Sequence, residues 1–122
     1  MPAVLIVDDD PVFRAALRTL FEQGSGFDTC VAARSVAEAL YKTKQVLPKL
    51  AVLDFSLPEM NGLQLARELK AIAPDLAIFL LTADSGADIE REALSCGITA
   101  VFSKLDDLTT LVSNARAVCG IE

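Results

Sequence analysis

Histidine is absent from this chain of 122 residues, and so is tryptophan. Without an imidazole there is no Ser-His or Cys-His nucleophile pair and no His-ligated metal. Cysteine is scarce. Cys30, Cys96 and Cys119 are odd in number, widely spaced and unlike any zinc pattern. They read as reduced, mostly buried thiols in a cytoplasmic protein. Basic charge is in short supply too: 11 Lys and Arg against 17 Asp and Glu leave a net charge of -6 and a pI near 4.6. That balance argues against direct nucleic-acid binding and against an anionic membrane surface, because phosphate binding needs a basic face. No apolar run approaches the roughly 20 residues needed to span a bilayer, and no basic stretch leading into an apolar one opens the chain. Internal repeats, low-complexity tracts and linkers are missing as well, so residues 1–122 read as one domain.

What is present is a folding composition, 52% apolar and 23% charged. Apolar runs alternate with amphipathic segments five times. Candidate strands cover about 3–8, 27–33, 50–54, 76–82 and 99–103. The first, third and fourth (AVLIVD, LAVLD, LAIFLLT) lack polar alternation, which implies burial on both faces and hence a parallel sheet covered by helices. Helix signals fall between the strands. Asp10-Pro11 reads as an N-cap with proline at the first helical position, and Phe13, Leu17, Leu20 and Phe21 follow at helical spacing until Gly24. Ser35 and Glu38 form a capping box for a second helix that ends before Pro48. The third begins near Gly62, carries Leu65, Leu69 and Ile72 inward, and ends before Pro74. The fourth starts around Ala87 with Ile89, Ala93 and Leu94 as its apolar positions and stops at Gly97. Asp106 and Asp107 complement the dipole of the fifth, whose buried stripe is Leu108, Leu111, Val112, Ala115 and Cys119.

Five such units imply an α/β, doubly wound five-stranded parallel sheet. In that architecture chemistry sits outside the carboxyl ends of the strands. Asp8 and Asp9 end the first strand here, Asp54 the third, Thr82 the fourth and Lys104 the fifth. Crowded carboxylates at strand ends are costly unless a cation gathers there, and an acidic nest of this kind suits a hard divalent ion. Asp9 and Asp54 would bind Mg2+ (or Mn2+), with Asp8 holding a bound water beside them. A carboxylate next to a metal can attack phosphorus, while Lys104 and Thr82 would meet the oxygens of the transferred group. Asp10 reads as a helix cap rather than a ligand. Asp84-Ser85-Gly86-Ala87-Asp88 reads as an exposed loop and helix start.

The segments Val7-Asp8-Asp9-Asp10-Pro11, Leu53-Asp54, Leu57-Pro58-Glu59-Met60-Asn61-Gly62, Leu81-Thr82-Ala83 and Ser103-Lys104 occur in order, one group per strand end. Together they resemble the receiver domain of bacterial two-component response regulators, in the manner of a chemotaxis-regulator-like single domain. The resemblance implies a flavodoxin-like, three-layer α/β/α fold with strand order 2-1-3-4-5. It implies that Asp54 accepts a phosphoryl group from a sensor histidine kinase or histidine phosphotransfer protein, and that Asp8, Asp9, Asp54 and the backbone carbonyl of Ser56 hold the metal. Thr82 matches the switch hydroxyl, Ala83 the small residue beside it, and Lys104 the lysine of the family motif. Ser56 and Asp84 stand where the family tunes dephosphorylation, and Gly62 would relieve the tight turn leaving the loop. Such a domain is not an enzyme in the usual sense, since it catalyses only its own phosphorylation and dephosphorylation. Phosphorylation would shift a pre-existing equilibrium of the surface formed by the fourth helix, fifth strand and fifth helix, for a downstream effector or a phosphorylation-dependent dimer. The sequence names neither the effector nor the pathway.

Two departures stand out. Leu105 follows Lys104 where the family usually has proline, and Val101 replaces the usual Tyr or Phe, with Phe102 next door on the opposite sheet face. They support a second reading, a pseudo-receiver that works as a phosphorylation-independent interaction module. An aspartate-based phosphatase usually has another acid two residues after the nucleophile, where this chain has Ser56. A flavin or dinucleotide binder lacks support, because no glycine-rich loop follows the first strand. The last helix runs to the chain's end at Gly120-Ile121-Glu122, so a stand-alone receiver or one cut from a larger regulator is expected.

Overall fold

Continuous apolar runs become the strands of a computed structural model that describes residues 2–83 and 87–121. In chain order the elements are β1 (Ala3–Val7), α1 (Pro11–Glu22), β2 (Thr29–Ala33), α2 (Val36–Val46), β3 (Leu50–Asp54), α3 (Gly62–Ile72), β4 (Ala77–Thr82), α4 (Ala87–Ser95), β5 (Ala100–Ser103) and α5 (Leu108–Val118). All strand pairs are parallel and the order is β2-β1-β3-β4-β5. Several elements are shorter than the sequence pattern suggests. β2 begins at Thr29 rather than Phe27, while Asp8 and Lys104 each stand one residue past their strands.

Alternate residues of β1 serve different layers. Val4 and Ile6 pack with Leu17 and Phe21 of α1 and Leu111 and Ala115 of α5. Leu5 and Val7 pack with Val36 and Ala39 of α2, Leu65 and Leu69 of α3 and Ala93 of α4. The period of two in a strand therefore feeds two cores, one on each face of the sheet, giving the α/β/α sandwich.

Helix ends are set locally. Asp10 caps α1 by accepting from the Val12 N–H at 3.0 Å. Ser35 accepts from the Glu38 N–H at 3.2 Å, but the box closes from one side only: the Glu38 carboxylate pairs instead with Lys42 at 3.1 Å. A reciprocal box occurs at Asn61 and Gln64 of α3. Asp107 caps α5 through the Thr109 N–H, and no acid lies in that helix's first turn, so Asp106 has another job. Leu94, one of the apolar positions expected of α4, is 56% exposed; among the described residues Ile89 and Ala93 carry that helix's apolar side. The three cysteines are free but half-buried rather than buried.

Candidate functional site

β1 sits between β2 and β3, so the chain winds to opposite sides from it and leaves a crevice at the carboxyl ends of β1 and β3. Val7 aligns with Leu53, which brings Asp8 beside Asp54. The Asp8 backbone N–H donates to the Ala33 carbonyl at 3.2 Å, and its Oδ1 accepts from the Asp10 N–H at 2.9 Å. That second bond turns the Asp8 side chain inward, where only 1% of the residue is exposed; Asp9 stays exposed and Asp10 is spent on the helix start. Asp54 is the last residue of β3 and 4% exposed. Its Oδ1 accepts from the Ser56 N–H at 3.2 Å.

Lys104 comes from the far side of the sheet, 96 residues from Asp8 in sequence. Its Nζ lies 3.1 Å from Asp8 Oδ2 and 3.2 Å from Asp54 Oδ2, and 4.7 Å from the centroid of the Phe13 ring on α1. At an effective dielectric near 20, a contact of about 3 Å is worth roughly 5 kcal/mol before desolvation is subtracted. Burial works against the Lys104 ammonium, but Asp8 and then Asp54 outweigh it and hold its pKa above the usual lysine value. Burial pushes the Asp8 carboxyl above its usual range, against the pull of the Asp10 N–H and of Lys104; the charge of Asp54 adds to the rise. The ion pair thus offsets a desolvation cost rather than adding to a solvated contact.

Asp8, Asp9 and Asp54 each offer a carboxylate oxygen, and these lie within 4.8 Å of one another. Octahedral Mg2+ at about 2.1 Å spreads its ligands over about 4 Å, so three hard oxygens at this spacing fit such an ion with small side-chain adjustments. Thr82 closes β4 and is buried, with Ala83 exposed beside it. The Lys104 N–H donates to the Thr82 carbonyl at 2.9 Å, tying these two strand ends together. Ser56 is exposed and forms an isolated antiparallel bridge with Asn61. Val101 packs against the α2–α3–α4 layer; Phe102 faces the other layer, its ring 5.0 Å from that of Phe79. Asp84 lies outside the described residues, as do Ser85 and Gly86. Among the described residues there is no cis peptide, and Leu105 is 90% exposed.

Gly62 answers a need for space rather than for backbone freedom, because a Cβ there would meet the Asp54 carbonyl oxygen at 2.6 Å. Four side-chain contacts escaped the sequence reading. Phe13 reads from its spacing as part of the apolar stripe of α1, yet its ring faces Lys104. Arg14 Nη1 donates to the Asp8 carbonyl at 2.7 Å. Glu59, beyond the loop from Asp54, accepts from the Val36 N–H at the start of α2 at 3.3 Å. The Asp106 carboxylate accepts from the Ser103 N–H at 2.9 Å. Proximity of residues 13 and 14 to the acidic pair in sequence was a usable signal; for Glu59 and Asp106 the pattern carried none.

Residues 4–116 match the family model for the response regulator receiver domain. A Pseudomonas aeruginosa protein named as a transcriptional regulator is 37% identical over 118 residues, 97% of this chain and 56% of that protein. The DNA-binding transcriptional activator DevR/DosR of Mycobacterium tuberculosis is 35% identical over 104 residues, 85% of this chain and 48% of that one. The chain spans about half the length of these relatives. The receiver domain of the Francisella response regulator 1452 superposes with a TM-score of 0.89 at 24% identity, covering 98% of each chain, which is a likeness of fold.

Proposed function

This chain belongs to the response regulator receiver domain family, and we propose that within it Asp54 is the phosphoacceptor of a two-component system, with residues 1–122 forming one receiver domain. The observation that carries this reading is the convergence of three carboxylates within 4.8 Å on one side and the Lys104 ammonium 3.2 Å from Asp54 on the other. The donor would be a phosphohistidine of a sensor histidine kinase or a histidine phosphotransfer protein. An Asp54 carboxylate oxygen attacks phosphorus, the P–O bond forms, the P–N bond breaks and the imidazole leaves. Asp8, Asp9, Asp54 and the Ser56 carbonyl would hold Mg2+. Once bound, the ion supplies charge neutralisation on the phosphoryl oxygens.

The protein's own groups do the positioning. Lys104 already rests on Asp54 Oδ2, so when that carboxylate becomes an acyl phosphate the ammonium follows the charge onto the phosphoryl oxygens. Thr82, whose carbonyl is bonded to the Lys104 backbone, moves on the same strand ends. Ala83 leaves room for that movement, and Ser56 and Asp84 set the lifetime of the acyl phosphate. Val101 gives the switch an aliphatic rather than an aromatic side chain. The output is a changed α4–β5–α5 surface, read in the cytoplasm by an effector or by a second copy. The names of the longer relatives point to transcription through a further domain of the whole protein.

Beryllofluoride with Mg2+ mimics the acyl phosphate and tests this reading. Saturable, Mg2+-dependent binding with amide NMR shifts spreading from Asp54 to β5 and α5 is the expected result. Silence in wild-type protein, with the interaction surface unchanged, would leave the pseudo-receiver reading in its place.

A further inference from the structure

Lys104 is carried on an edge. Among the described residues β5 has a neighbour on one side only, β4, and the connection 104–107 follows it into α5. Leu105 is 90% exposed and Asp106 is exposed, so the connection is not pinned by core packing. Leu105 carries no ring to fix its φ. The turn is nevertheless closed by hydrogen bonds. Alternate N–H groups of a parallel strand face opposite neighbours; that of Lys104 goes to Thr82 on β4, so that of Ser103 faces the open edge. There the Asp106 Oδ2 accepts it at 2.9 Å. The Asp106 N–H returns to the Ser103 carbonyl at 3.0 Å, and Ser103 Oγ accepts from the Leu105 N–H at 3.1 Å.

We propose that Asp106 is a positioning residue: with Ser103 it clamps the turn from which the Lys104 ammonium reaches Asp8 and Asp54. The inference rests on the reading of Lys104 as the group that meets the phosphoryl oxygens. A helix-stabilising role does not account for Asp106, because α5 has its own cap in Asp107, which accepts from both the backbone N–H and the hydroxyl of Thr109. The clamp needs an acceptor oxygen at this position, not a charge. Asparagine preserves it and alanine does not.

The test compares wild type, Asp106→Asn, Asp106→Ala, Lys104→Ala and the double variant Lys104→Ala/Asp106→Ala, with beryllofluoride and Mg2+ as probe. Losing one net hydrogen bond from the turn should weaken beryllofluoride binding by about three- to tenfold in Asp106→Ala. Asp106→Asn should restore it to within about twofold. In the Lys104→Ala background the Asp106→Ala change should have no further effect, since the clamp acts through Lys104. Amide exchange at Ser103 should accelerate in Asp106→Ala and stay slow in Asp106→Asn. Wild-type affinity in Asp106→Ala, or an equal loss with and without Lys104, would overturn the proposal. If wild-type protein binds no beryllofluoride, the phosphoacceptor reading fails instead. The clamp is then decided by Ser103 exchange and by whether Asp106→Ala moves the side-chain NMR signals of Lys104 away from their wild-type positions; unchanged exchange and signals overturn it.

Discussion

Alanine in place of Gly62 should damage both fold and site, through one contact. The new Cβ would stand 2.6 Å from the Asp54 carbonyl oxygen, 2.7 Å from Leu80 Cδ1 and 3.1 Å from Phe55 Cα. The Leu80 methyl is the end of a flexible side chain and can turn away. The carbonyl belongs to the last residue of a central strand, whose neighbours β1 and β4 hold it on both sides. An ordinary C···O approach is about 3.3 Å or more, so roughly 0.7 Å must be found by backbone movement. Overpacking of this kind costs about 1–3 kcal/mol. Alanine's better helix propensity, worth up to about 1 kcal/mol in a helix interior, returns less than that at the first position of α3. For a domain of this size each kcal/mol is about 4 °C, so Tm should fall by about 4–12 °C. The movement passes directly to Asp54, and Mg2+ binding, read from the Tm increase on adding the ion, should weaken in parallel. Gly24→Ala is the control. Its φ of +72° makes alanine strained, but no atom lies within 4 Å, so it should cost only about 1 kcal/mol and leave the Mg2+ response intact. The steric argument is refuted if Gly62→Ala melts at or above wild type, or if its Mg2+ response equals that of Gly24→Ala.

Two further outcomes are expected. Leu47 ends α2 with φ 52° and ψ 65°, is 67% exposed, and has the conformation a C-terminal glycine usually supplies. Leu47→Gly should therefore raise stability by about 0.5–1 kcal/mol after the added unfolded-state entropy is subtracted; denaturant unfolding with a loss instead would contradict this. Burial pushes the Cys30 thiol up to about 11 from 9.0. At pH 8 its thiolate fraction, and hence its alkylation rate followed by mass spectrometry, should be about 100-fold below that of the unfolded chain. Because the unfolded chain ionises first, this group makes stability fall as pH rises from about 9 to 11. Labelling of native Cys30 at the unfolded rate would count against the burial account.

The fold was legible because uninterrupted apolar runs such as AVLIV and LAVLD admit little but strands covered on both faces. The strand-end carboxylates were legible for the same reason: each follows a run whose end the sequence marks. Strand order came only with the family resemblance, since periodicity does not specify neighbours. Leu94 was misplaced because α4 is short and its inner side is satisfied by Ile89 and Ala93, leaving the next apolar residue outside. The Asn61–Gln64 box was overlooked because its Ncap is asparagine and the helix opens on glycine, a residue that reads as a turn. Phe13 over Lys104 and Asp106 on Ser103 depend on how α1 and the β5–α5 turn meet in space. The first pairs residues on elements far apart in sequence. In the second, an acid just before a helix reads equally well as a dipole partner.

The central claim is that Asp54 carries the phosphoryl group. Incubation with a small acyl-phosphate donor and Mg2+, followed by intact mass spectrometry, tests it most directly. A single phosphoryl group should be gained, only with Mg2+ present, released by hydroxylamine and absent from Asp54→Asn. A chain that stays unmodified, or one that Asp54→Asn leaves equally modified, would contradict the account.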